Sequence, residues 1–106
     1  MTNAQTQTPV LEIVTFRTAH GTDESAFLEA ARGTEALLRD RGSLVRRVLT
    51  KADDGTWTDV VELKSMDEAL SAAKAVLQEP SFMPFMSMID PESVAMSHAP
   101  IMWRMD

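Results

Sequence analysis

A chain of 106 residues with 44% apolar and 25% charged side chains has the size and balance of one globular domain. Ten basic residues against sixteen acidic ones, a net charge of −6, exclude a binder of phosphate backbones, which needs clustered Lys and Arg. No apolar run approaches the roughly 18 residues of a membrane-spanning helix. Cysteine is absent, so disulfides, thiolate metal sites and cysteine nucleophiles fall away together.

The start, Met1 to Thr8, has neither a basic region nor an apolar stretch. Residues 1–9 are predicted to be a flexible N-terminal tail, residues 10–106 a single domain, and the cytoplasm its location. Val10–Thr18 is rich in β-branched residues and apolar on both alternating faces, with Leu11 and Ile13 on one and Val14 and Phe16 on the other. That pattern predicts a central strand covered on both sides.

Thr22-Asp23-Glu24 gives a helix start with Thr22 as the N-cap hydroxyl. Phe27, Ala30, Ala31, Thr34, Leu37 and Leu38 form an apolar stripe over a helix from Asp23 to Arg41, stopped by Gly42. Gly33, in its middle, marks either close packing or a ligand beneath, or is simply tolerated. Leu44–Lys51 and Trp57–Lys64 flank Asp54-Gly55, the signature of an antiparallel hairpin.

Ser65-Met66-Asp67-Glu68 is a capping box, and Ala69, Leu70, Ala73, Val76 and Leu77 make the buried stripe of the helix it opens. Pro80 stops that helix. A short helix then begins near Ser81, with Pro84 in its first turn and Phe82, Phe85, Met86 and Ile89 at helical spacing. Val94–Arg104 is a last strand, kinked by Pro100 and placed at a sheet edge, where proline is tolerated. The sum is an α+β chain of order β-α-β-β-α-β, a four-stranded antiparallel sheet with helices on one face.

Val10–Thr18, the Asp23–Arg41 helix, Trp57–Lys64 entering Ser65–Leu70, and the break at Glu79–Phe85 together resemble the dimeric α/β barrel superfamily, of ferredoxin-like fold. Its antibiotic-biosynthesis-monooxygenase-like branch is the nearest. The resemblance implies a homodimer with sheets packed face to face and a small cavity between sheet and helices. It also spans several chemistries, from cofactor-independent oxygenation to no activity at all. Haem degradation is disfavoured: the place of the branch's iron-binding histidine, one turn after Phe82, is Met86, and no asparagine stands near Thr15 and Phe16.

Among residues with chemistry, His98 is the candidate catalytic base, set against a hydrogen-bonded structural histidine at the strand edge. His20 reads as a turn residue. An iron site joining His20, His98 and a carboxylate lacks ligand spacing, so neither a metal nor a cofactor is expected. Glu12, Asp59 and Glu62 are unusual within strands, and an arginine, Arg46 or Arg47, is expected to pair with Asp59 or Glu62. The alternative for the same residues is a polar cluster that orients a substrate carbonyl.

Trp57 and Trp103 either line a pocket or, preferably, lie at the dimer seam. Methionines crowd the last quarter, at Met83, Met86, Met88, Met96, Met102 and Met105. They suit a cavity adapting to an apolar or aromatic, polyketide-like ligand, and equally an irregular core. Phe82, Phe85, Met86, Met96 and Trp103 are the candidate ligand-binding residues. The competing reading is a non-catalytic structural or binding dimer.

Overall fold

Four strands form one antiparallel sheet in a computed structural model that describes residues 8–106. The expected tail at 1–9 therefore lies, except for its last two residues, outside the described residues. The strands are β1 (Val10–Phe16), β2 (Leu44–Lys51), β3 (Trp57–Leu63) and β4 (Ala95–Pro100), in the order β2-β3-β1-β4. Strand β4, with Pro100 at its end, is an edge as expected. Residues beyond it are irregular, so the strand is shorter than the predicted Val94–Arg104.

The helices α1 (Glu24–Arg32), α2 (Glu35–Asp40), α3 (Met66–Val76) and α4 (Met83–Ser87) supply the second layer. Pairing register fixes what each strand presents. Val10, Glu12, Val14 and Phe16 of β1 share the helix-covered face with Trp57, Asp59, Val61 and Leu63 of β3. A bulge between Leu44 and Arg46 lets both Leu44 and Arg47 reach that face from β2.

One end of the core is aromatic. Phe16, Phe27, Trp57, Phe82 and Phe85 are all buried in one cluster, with Phe27 stacked on Phe85 at a centroid distance of 5.1 Å. Trp57 lies 4.8 Å from Phe27, centroid to centroid, so it belongs to the core and not to the preferred dimer seam. Backbone bonds from Ala19 to Met88 and from Asp90 to Arg17 tie the end of α4 to the chain leaving β1.

The helical layer departs from the predicted one in three places. Asp23, not Thr22, caps α1, its carboxylate accepting from the Ala26 N–H at 2.9 Å. The Thr22 hydroxyl instead donates to the Ala19 carbonyl. The expected single helix to Arg41 is two, parted at Gly33-Thr34. The fully buried Thr34 donates to the Ala31 carbonyl and accepts from Arg47, so a sheet residue anchors the break.

In α3 the buried positions are Ala69 and Ala72, while Leu70 and Leu77 of the expected stripe are 49% and 64% exposed. Packing selects the small side chains because α3 lies close on β3. Ser65 caps α3 as expected, accepting from the Glu68 N–H. The hairpin loop also forms: Asp54 accepts from the Thr56 N–H, which holds its carboxyl below the ordinary carboxylate range, and Gly55 takes φ +90°.

Candidate functional site

One rank of residues crosses all four strands on the helix-covered face: Arg47 of β2, Val61 of β3, Glu12 of β1 and His98 of β4. It places a cation, an apolar step, a carboxylate and an imidazole side by side. The strand alternation that turns Val10, Val14 and Phe16 toward the helices carries Glu12 inward with them.

His98 and Glu12 are hydrogen-bonded, Nε2 to Oε1, at 2.9 Å. Both side chains are largely buried, at 17% and 16% exposure. With Nε2–H given to the carboxylate, Nδ1 keeps its lone pair, the form in which imidazole accepts a proton. A carboxylate behind the ring fixes the tautomer and stabilises the imidazolium once formed.

Arg47 is held harder. Its Nε and Nη2 donate to the two oxygens of Asp59 at 2.9 and 2.7 Å, and Nη1 donates to the Thr34 hydroxyl at 2.7 Å. The guanidinium carbon also sits 5.3 Å from the centre of the Phe85 ring. Three of its five N–H groups are spent in these bonds, leaving two for another acceptor. This is the cross-strand pairing expected of Asp59. Glu62, on the other face of the sheet, pairs with Arg46 and Arg104.

Two spaces meet at Arg47 and Leu38. The inner one, about 60 Å³, lies over Val61 and is lined by Glu12, Arg47 and Asp59, with Ala72, Ala73, Val76 and Phe82 as its helical roof. Small alanines in α3 leave it open. The outer one is an open groove of about 430 Å³ between α1, α2 and strand β2. A cavity of the inner size holds about two waters and no aromatic molecule.

The sequence-predicted residues divide between these places. Phe82 lines the inner cavity, Phe85 is buried in the aromatic cluster under Arg47, and His98 stands at the β4 end of the polar rank, outside the lining of either space. Met86, Met96 and Trp103 are 38%, 51% and 77% exposed and line neither space. His20 is exposed on the turn after β1, and no three metal-ligating side chains cluster among the described residues. Thr34 is the residue that sequence reasoning did not bring to the site, and Glu12, singled out there as a strand carboxylate, was not joined to His98. The signal for Thr34 was a polar side chain in an apolar stripe.

By sequence, no protein-family profile and no curated protein matches the chain. By structure, the cofactor-independent oxygenase SnoaB from Streptomyces nogalater is similar, with TM-score 0.62 and 19% identity over 93% of this chain and 96% of that one. A candidate antibiotic biosynthesis monooxygenase from Bordetella bronchiseptica is similar at TM-score 0.69, 16% identity, 92% of this chain and all 100% of the other. A dimeric ferredoxin-like protein from an uncultured marine organism aligns at TM-score 0.65 and 10% identity over 96% and 95%. At these identities the likeness is one of fold. The chain has the ferredoxin-like fold shared by proteins of the antibiotic-biosynthesis-monooxygenase type.

Proposed function

We propose that the chain handles an aromatic or polyketide-like small molecule in the cleft between sheet and helices, with His98 as the base that removes a proton from it. The observation that supports this most is the rank Arg47–Val61–Glu12–His98, in which Arg47, with two unspent donors, and Glu12 line the inner cavity and His98 stands behind Glu12, hydrogen-bonded to it. A base there removes a proton from an acidic C–H or phenolic O–H, and Arg47 stabilises the oxyanion that results. Electron-rich anions of that kind react with oxygen without a cofactor, the activity described for SnoaB.

The working unit in this reading is a homodimer in the cytoplasm. The uncovered face of the sheet carries Leu11, Ile13, Val48 and Val60, with Val48 49% exposed, an apolar surface suited to a second copy. Among the described residues no helix is long and apolar enough to cross a membrane. The second reading, a non-catalytic binding or structural dimer, is favoured by one observation. No buried side-chain N or O atom among the described residues lacks a partner, so the polar rank can serve the fold alone.

Oxygen uptake in the presence of a 1,8-dihydroxyanthrone decides between them. Its CH2 group becomes a carbonyl as O2 is consumed and water released. The wild type accelerates the uptake, and His98→Ala lowers the enzymatic rate by about 100-fold. An equal rate in both would contradict the base assignment, and no acceleration by either would favour the non-catalytic dimer.

A further inference from the structure

The inner cavity is too small for a ring system, and the groove that meets it at Arg47 has the capacity of an ordinary ligand pocket. We infer that the outer groove holds the body of a flat apolar ligand bearing a carboxylate, and that Arg32 and Arg39 bind that carboxylate at the solvent end. This rests on the reading of the inner cavity as the place of chemistry and adds the charge and orientation of what enters it.

The groove's composition carries the inference. Leu28, Leu38 and Leu49 provide apolar contact, while Arg32, Arg39 and Arg47 stand around it with Glu35 as the lining carboxylate; Arg46 borders it too, but its guanidinium is on Glu62 at the other face of the sheet. In a chain of net charge −6, three of its ten basic residues, Arg32, Arg39 and Arg47, converge on this one groove. The outer two are weakly committed. Arg32 pairs with Glu29 at 3.2 Å and Arg39 with Glu35 at 2.7 Å, and all four side chains are more than half exposed.

Exposed pairs of this kind contribute little and exchange partners readily. A ligand carboxylate held against an apolar floor is a stronger partner than a solvated side chain. At the other end of the groove, Arg47 is fixed by Asp59 and Thr34 and offers its two remaining N–H groups. A molecule anchored outside by its carboxylate therefore presents its far end to Arg47 and to the inner cavity. Water-sized space over Val61 then receives the reacting edge, or the oxygen molecule, and not the ring system.

Titration with 2-naphthoate and with the neutral 2-naphthamide, followed by amide chemical shifts, tests this. Naphthoate should shift the amides of Ala31, Leu38 and Leu49, bind more tightly than naphthamide, and weaken as salt is raised. The exposed double variant Arg32→Gln/Arg39→Gln should raise the Kd for naphthoate about fivefold and leave that for naphthamide unchanged. Equal affinity for the two probes, an unaltered naphthoate Kd in the double variant, or no binding of naphthoate at all would overturn the inference. Shifts confined to Glu12, Val61 and His98 would also overturn it while leaving the proposed function standing.

Discussion

Arg47 and His98 occupy the same rank of the sheet yet are held in opposite ways. The guanidinium is bonded on three sides and lies over the Phe85 ring, whereas the imidazole has one side-chain partner among the described residues, Glu12. A tightly held cation is suited to stabilising charge at a fixed point, and a singly held base is free to exchange a proton. Removing the Asp59 carboxylate exposes the difference. Asp59→Asn leaves a largely buried guanidinium without its counter-charge, and thermal or urea unfolding should show a loss of about 3 kcal/mol. A loss under about 1 kcal/mol would mean that Arg47 finds another partner. That an arginine of β2 would pair with Asp59 or Glu62 was legible in the sequence, because buried strand charges need partners; which arginine takes which carboxylate was not. The Glu12–His98 bond was not, since its two residues lie 86 positions apart and meet only through the register of β1 on β4.

At the scale of elements, α3 decides whether the inner space exists. Its Ala72 and Ala73 face Val61 where bulkier residues would close the gap. Ala73→Val adds two carbons to a space of about 60 Å³. The variant should stay folded, with stability changed by less than about 1.5 kcal/mol. Turnover should fall about tenfold or more, read from oxygen uptake and a melting curve on the same preparation. Full turnover with the cavity filled would place the chemistry elsewhere. The capping box at Ser65 and the Asp54-Gly55 hairpin could be read directly, because both are set by neighbours in sequence. The break at Gly33-Thr34 could not. Helical spacing runs unbroken through it, and the bond that anchors it comes from Arg47 of the sheet.

For the whole molecule, the two faces of the sheet explain the two-sided apolar pattern of β1. Val14 and Phe16 meet the helices, while Leu11 and Ile13 lie on the uncovered side with Val48 and Val60. Period-two alternation makes that division readable in the sequence, since successive side chains of a strand must point oppositely. Alternation does not say what covers the second face. In the proposed homodimer, Ile13→Glu places a carboxylate at the centre of the seam and should leave a monomer by sedimentation or native mass spectrometry. An unchanged oligomeric state would take the interface away from this face.

The most direct test of the proposed chemistry is a double-mutant cycle at the end of the polar rank, with oxygen uptake on the same anthrone as readout. If the imidazole and its carboxylate act as one base, Glu12→Gln lowers the rate on its own, and adding it to His98→Ala costs nothing further. Independent, additive losses would contradict the account, as would a Glu12→Gln variant that turns over at the wild-type rate.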